Sequence, residues 1–306
     1  MLFQKQRAKR WMKKLLKRGK REIIPVEPSE YMHKTDRVAL EALKRIPMFD
    51  KLCGKMISVI DEPLRCIEDM SSKIRISEEQ IPRVYYMVEN ICRKLDIEMP
   101  NLYLELDRDP NAYTYGHETI SITLTSGLLE CLEDDEIYAV LAHECGHIAC
   151  EHVLYHTMGN LVLGGSSAGV RLLDTGFIGS LVTAPLKLAF HHWMRCSELS
   201  ADRAAMICCE GSRPVIDMMM RLAGGTKHLD AELNAELFLQ QAEDYDEMKA
   251  ESLKNKLLEY LYVYDQSHPL LSVRAHEAKL WEETEEYFAA VDKLNGVLVI
   301  EEPEEE

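Results

Sequence analysis

Nowhere does this 306-residue chain offer an uninterrupted apolar stretch of the roughly 20 residues that a bilayer-spanning helix needs. The nearest approach, Thr175 to Leu186, is a dozen residues long and contains Pro185. There is no C-x-x-C pair and no regular spacing among the nine cysteines, and adjacent Cys208 and Cys209 are poorly placed to bridge each other. No internal repeat and no apolar h-region of a secretory signal can be found. Together these absences exclude a disulfide framework and predict free thiols in a reducing cytoplasm, without a transmembrane helix.

Acid is missing altogether from the first 21 residues, which carry ten Lys or Arg, whereas the whole chain has 36 basic and 52 acidic residues. The remainder therefore has a net charge of about −26, an acidic body behind a basic leader. Leu2, Phe3, Trp11, Met12, Leu15 and Leu16 interleave with the cations at roughly helical spacing, the pattern of a helix lying on an anionic membrane. A solvated tail, or one docked on the protein's own acidic surface, is the reading slightly preferred to membrane contact; nucleic acid is the least favoured partner. The localisation expected is cytoplasmic, with peripheral contact of residues 1–21 at the inner membrane face left open. At the other end, residues 301–306 read as a solubilising acidic tail.

Residues His143-Glu-Cys-Gly-His147 form an H-E-x-x-H pattern within an apolar, helix-like segment from Asp135 to Cys150. On a helix the two histidines stand one turn apart on one face, so two imidazole nitrogens can hold one metal ion. Glu144 sits beside that ion without needing to ligate it. There it could take a proton from zinc-bound water and pass it to a leaving amine. The flanking Ile137, Val140, Leu141, Ile148 and Ala149 imply a buried helix, and buried histidines need partners. Downstream, Glu198 and Asp202 recur at i and i+4. If Glu198 is the third ligand such a site needs, Asp202 one turn later points the same way and can accept the N–H of a ligating histidine. Two histidines, one glutamate and a position left for water describe a catalytic rather than a structural zinc site. Cys145 points away from the ligand side and reads as packing. His191 and His192, six and seven residues before Glu198, are not obvious ligands.

Four segments, Asn111-Ala-Tyr-Thr-Tyr-Gly116, Thr125-Ser-Gly-Leu-Leu129, His143-Glu-Cys-Gly-His147 and Arg195-x-x-Glu198-x-x-x-Asp202, together resemble the HtpX-like and CAAX-prenyl-endopeptidase type of zinc metallopeptidase. His268-Pro269 followed by Arg274 resembles the late H-P-x-x-x-x-R element of that gluzincin family. The resemblance covers about residues 80 to 280. It implies a zincin-like fold, a Zn2+ cofactor, ligands His143, His147 and Glu198, and Glu144 as the base. Near the zinc it also places His268 and Arg274, either of which could donate to the oxyanion; His268 could instead be a temporary ligand that blocks water. Many relatives carry two membrane-spanning helices between the zinc helix and the third ligand. Here residues 153 to 194 contain Arg171, Asp174, Lys187 and six glycines, which favours a helical lid over a membrane-seated hairpin.

The expected fold class is mainly α with a small β-sheet (α+β), the catalytic domain carrying helical N- and C-terminal extensions. Its divisions are the basic leader 1–21, a helical extension 22–75, the metallopeptidase domain 76–280, and a C-terminal helix with acidic tail 281–306. Residues 22–30 read as an extended linker, and 31–72 as helices broken at Pro47, Gly54 and Pro63. A helix starting near Ser77 should bury Val84, Met87, Val88, Ile91 and Leu95. Leu102–Leu106 and Thr119–Thr125 alternate as strands, with Asn111 to Gly116 as the connecting turn region. Strand addition at an edge beside the metal makes Asn111, Ala112 and Tyr113 candidates for backbone docking of a peptide, although Tyr113 and Tyr115 are equally suited to sheet packing. After Asp202 the chain reads as helical, with Met218 to Met220 in the core and Leu233, Leu237, Leu253, Leu257, Leu258 and Leu261 docked on the body.

These readings predict a zinc endopeptidase acting on unfolded or extended polypeptides. The alternative from another class is a non-catalytic, zinc-stabilised scaffold whose helical C-terminal half binds a partner. Glu144 speaks against it, since a structural site does not need that carboxylate.

Overall fold

The computed structural model describes residues 23–45, 62–163, 184–225, 231–252 and 270–296, with isolated positions between them and only the helical backbone of 159–163 and 184–188. The basic leader, the middle of segment 153–194, His268 and the acidic tail lie outside the described residues. After an extended stretch and one helical turn come α1 (Lys34–Lys44), α2 (Glu62–Ser72), β1 (Ile74–Arg75), α3 (Pro82–Leu95), β2 (Asn101–Glu105), β3 (Ala112–Tyr115) and β4 (Ser121–Thr125). They are followed by α4 (Ser126–Cys131), α5 (Asp134–Ala149), α6 (Val153–Leu163), α7 (Ala184–Cys209), α8 (Arg213–Leu222), α9 (Ala235–Ala250), α10 (Leu271–Glu282) and α11 (Glu285–Leu294). The molecule is mainly α with one small sheet, and no described helix is long and apolar enough to cross a membrane.

The sheet has the order β1-β2-β4-β3. β2 runs parallel to β4, with Leu102 opposite Ile122 and Leu104 opposite Leu124, and β3 pairs antiparallel with the far side of β4. The segment read as a connecting turn is therefore the edge strand itself. A parallel β2–β4 pair cannot be closed by a tight turn, and the chain uses the crossover to lay down β3. Thr125 fixes its start: the Thr125 amide donates to the Asn111 carbonyl at 3.0 Å, and the Thr125 hydroxyl accepts from the Asn111 amide at 2.9 Å.

α3 begins at Pro82, five residues later than the Ser77 start that the sequence suggests. Ile81 adopts a left-handed backbone (φ 58°), which no helix continues through, and Pro82 with its preset φ opens the helix. Val84, Met87, Val88, Ile91 and Leu95 are all buried against the inner face of the sheet and α5. Pro63 likewise sits in the first turn of α2 instead of breaking a helix. Met218 and Met219 are core residues, whereas Leu237 is 64% exposed and does not dock. Cys145 is fully buried, and Cys208 and Cys209 are free thiols like the other described cysteines.

α5 shows little sidedness because it is central: every residue from Glu136 to His147 is buried. Its start is fixed by Glu133, whose amide donates to Glu136 Oε2 at 2.7 Å while its own side chain caps the third residue. α7 crosses it closely through Ala201, Ala204 and Ala205, all fully buried. Gly146 makes this approach possible. A Cβ there would lie 2.7 Å from the Ala204 Cβ and 3.0 Å from the Ala201 Cα, and neither neighbour has a flexible end to yield. Gly146→Ala is therefore expected to cost about 1–3 kcal/mol by forcing the helices apart. Thermal denaturation measures this, and an unchanged midpoint would contradict the close-approach argument.

A second, smaller cluster joins α1, α6 and α7 through Leu40, Leu43, Tyr155, Met158, Phe190 and Trp193. Burying an indole as completely as that of Trp193 removes enough apolar surface for about 5 kcal/mol before entropy is counted. Helix α1 of the N-terminal extension is thus packed on α6 and α7 as part of the body.

Candidate metal centre and active site

α5 and α7 bring His143, His147 and Glu198 to one point. The two Nε2 atoms lie 3.2 Å apart, His143 Nε2 is 3.5 Å from Glu198 Oε2, and His147 Nε2 is 3.3 Å from Glu198 Oε1. Donors about 2 Å from one ion at tetrahedral angles would stand about 3.3 Å from one another, so these three atoms fit a zinc-sized cation. All three side chains are buried, as are Glu144 and Asp202. Three carboxyl side chains here face one guanidinium, and the negative excess is what a divalent cation would balance.

His143 Nδ1 donates to Asp202 Oδ1 at 2.9 Å, which turns its Nε2 toward Glu198 and His147. Arg274, 5% exposed and carried by the first turn of α10, locks both carboxylates. Its Nη2 and Nε donate to Asp202 at 2.6 and 2.8 Å, and its Nη1 lies 2.7 Å from Glu198 Oε2. The oxyanion role foreseen for Arg274 has little support in this arrangement, since the fork of the guanidinium is spent on the site's own carboxylates. Burial and these carboxylates set the proton affinities. Burial alone would lower the pKa of His143, but its bonds to Asp202 and Glu198 outweigh that and push it up to about 9. His147 is pulled down to about 3 by burial, helped by the adjacent His143. For Asp202, burial is outweighed by Arg274, which holds the carboxyl below its ordinary range.

Glu144 projects toward the sheet, where the Thr114 hydroxyl of edge strand β3 donates to its Oε2 at 2.6 Å. Tyr113, next to it, points away into the sheet's other face, accepting from Lys73 at 2.9 Å and donating to Glu105 at 3.1 Å. His191 is buried and His192 exposed on α7, and neither belongs to the His143–His147–Glu198 group. Three residues that sequence reading passed over also meet the site. Thr114 could have been noticed only with β3 recognised as a strand. His152 was visible in principle, five residues after His147, and its Nδ1 lies 3.0 Å from His147 Nδ1. Asp36, reaching His152 from α1, gave no local signal.

Comparison with known proteins agrees with this geometry. Residues 78–282 match the model of peptidase family M48. The plastoglobule-localized metallopeptidase 48 of Arabidopsis thaliana chloroplasts is 28% identical over 273 residues, covering 88% of this chain and 77% of that protein. HtpX protease homologues align over shorter stretches. That of Trichormus variabilis is 35% identical over 94 residues, 30% of this chain and 32% of its own length. That of Tropheryma whipplei is 40% identical over 81 residues, 26% and 28% of the two chains. A family match over two thirds of the sequence, spanning α5 and the part of α7 that carries Glu198, which together assemble the buried His-His-Glu group, makes this chain a member of peptidase family M48, a metalloprotease.

Proposed function

We propose that the protein is a zinc-dependent endopeptidase that hydrolyses internal bonds of unfolded or extended polypeptides. The observation that carries this reading is the convergence of three ligand atoms at 3.2 to 3.5 Å with Glu144 on the same helix and an edge strand alongside. His143, His147 and Glu198 would hold the ion, and Asp202 and Arg274 fix the side chains that would ligate it. Zinc, when bound, supplies a Lewis acid for the scissile carbonyl and eases deprotonation of water at neutral pH. Glu144 takes the proton of the attacking water and delivers it to the leaving amine, and the Thr114 hydroxyl holds one carboxylate oxygen while it does so.

Substrate docks on β3. Asn111 turns its backbone to β4, so the alternation of an antiparallel pair leaves the N–H and C=O of Ala112, and again of Thr114, facing the outer edge. Of the three docking residues expected from sequence, Ala112 offers the backbone groups, flanked by Asn111 and Tyr113. Pairing through the backbone needs no particular side chain, which is why an extended polypeptide is the substrate class. The free cysteines support residence in a reducing compartment.

The test is incubation of the zinc-loaded protein with casein, with fragments read by mass spectrometry. Internal cleavage that a chelator stops and zinc restores is the expected result. No cleavage at a measured one zinc per chain would overturn the assignment.

The same site predicts a pH dependence. With its pKa raised to about 9, His143 carries a proton in the metal-free protein at pH 7. That proton stabilises the metal-free fold fully below about 6.5, and the contribution is lost as pH rises through 9. Zinc must displace it, so zinc affinity runs the other way, rising about tenfold per pH unit between 7 and 9 and then levelling. Chelator competition across this range should show the slope; a flat profile would mean that His143 is already neutral.

A further inference from the structure

One buried group beside the metal site takes no part in the chemistry above. His152 is fully buried between His147 and Asp36. Its backbone amide donates to the His147 carbonyl at 2.9 Å, because Glu151 takes a left-handed turn (φ 59°) that folds the chain back at the end of α5. Its Nδ1 lies 3.0 Å from His147 Nδ1, and its Nε2 lies 2.9 Å from Asp36 Oδ2. Asp36 is itself fully buried and accepts from Ser200 Oγ at 2.5 Å and from Trp193 Nε1 at 3.0 Å.

Proton bookkeeping permits one arrangement. If His147 offers its Nε2 lone pair to the ion, its ring proton is on Nδ1 and must be donated to His152 Nδ1. His152 Nδ1 is then bare, and the remaining ring proton sits on Nε2, facing the Asp36 carboxylate. The opposite tautomer of His152 would set a nitrogen lone pair against a carboxylate oxygen at 2.9 Å. Although burial alone would raise the pKa of Asp36, His152, Ser200 and Trp193 hold it below its ordinary range, so it acts as an acceptor.

We propose that His152 and Asp36 are positioning residues for the metal: Asp36 fixes the tautomer of His152, and His152 in turn aims the Nε2 of His147, as Asp202 does for His143. This rests on the zinc-site reading above. Asp36 lies on α1, ahead of residues 78–282 that match the family model, so the N-terminal extension completes the centre from outside that segment. His147, His152 and His156 also bring ligand atoms within 4.8 Å of one another. A second ion there would require His147 to bridge as an imidazolate, which the hydrogen-bonded arrangement does not.

The experiment measures zinc affinity of the full chain by chelator competition, with zinc stoichiometry and the melting temperature of the metal-free protein recorded beside it. His152→Leu removes both the hydrogen bond to His147 and the close contact of Nε2 with the Asp36 carboxylate and should weaken zinc binding about 10- to 100-fold. His152→Gln can accept through its amide oxygen and donate through its amide nitrogen, and should stay within about threefold of wild type. A purely structural role would lower the metal-free melting temperature in both variants without separating their zinc affinities, and that result overturns the proposal. So does a Leu variant that binds zinc like wild type, or a wild type that binds two ions. Should the Leu variant not fold, 15N spectra of the zinc-loaded wild type decide. Protonation of His152 at Nε2 is expected, and protonation at Nδ1 overturns the proposal. A wild type that binds no zinc overturns both this inference and the site assignment beneath it, whereas wild-type zinc binding with unaltered variants overturns this inference alone.

Discussion

Glu144→Gln is expected to lower kcat/KM on casein about a thousandfold, inside the range of roughly 10²–10⁴ that a positioned general base contributes, while zinc content stays unchanged. The expectation follows from what the substitution leaves alone. Gln has the same length, and its amide oxygen can still accept from the Thr114 hydroxyl, which stands 2.6 Å from Glu144 Oε2. His143, His147 and Glu198 are untouched. What disappears is the ability to take and return a proton. Because Glu144 is one of three carboxyl side chains buried around a single guanidinium, neutralising it should not lower the melting temperature. A variant that keeps zinc but also keeps more than a tenth of the activity would remove Glu144 from the mechanism.

Much of the site's layout can be read from sequence because helical spacing is rigid. His147 follows His143 by four positions, and Asp202 follows Glu198 by four, so each pair shares a face wherever the helices go. That α5 and α7 meet with those faces together depends on tertiary packing, and the local trace of it is Gly146 opposite Ala201 and Ala204. Helix α3 was equally legible in its buried face, but its start was not, since nothing in Ser77-Glu-Glu-Gln marks Ile81 as left-handed. Ala112-Tyr-Thr-Tyr, the segment of strand β3, reads as a turn because it has no apolar alternation and is flanked by Asn111 and Gly116, both turn formers. Its identity as a strand comes from the parallel register of β2 on β4, a long-range fact. Asp36 is the extreme case. It sits in Lys34-Thr-Asp-Arg, a stretch that reads as solvated helix, yet its carboxylate is fully buried by partners 116 to 164 residues away in sequence, among them His152 and Ser200.

Arg274→Leu should destabilise the metal-free protein by about 3–5 kcal/mol, the usual cost of leaving a buried charge without its partner. Two carboxylates lose their counter-charge at once, since the guanidinium lies 2.6 and 2.8 Å from Asp202 and 2.7 Å from Glu198. Zinc should restore part of the loss, because an ion held by Glu198 and by His143 supplies positive charge to the same carboxylates. The gap in melting temperature between zinc-loaded and metal-free forms is therefore expected to widen relative to wild type. Arg274→Lys keeps a charge but cannot span Asp202 and Glu198 with a planar fork, and should fall between the two. The kinetic result separates this bracing role from a donor role toward the oxyanion. Removing an oxyanion donor costs about 10²–10³ in kcat with little effect on the fold. Bracing predicts the reverse: a large loss of stability, with kcat of the folded, zinc-loaded Leu variant falling less than about tenfold. Unchanged stability with a hundredfold drop in kcat would return Arg274 to the reacting carbonyl and leave the Asp202 and Glu198 carboxylates to be balanced by the metal alone.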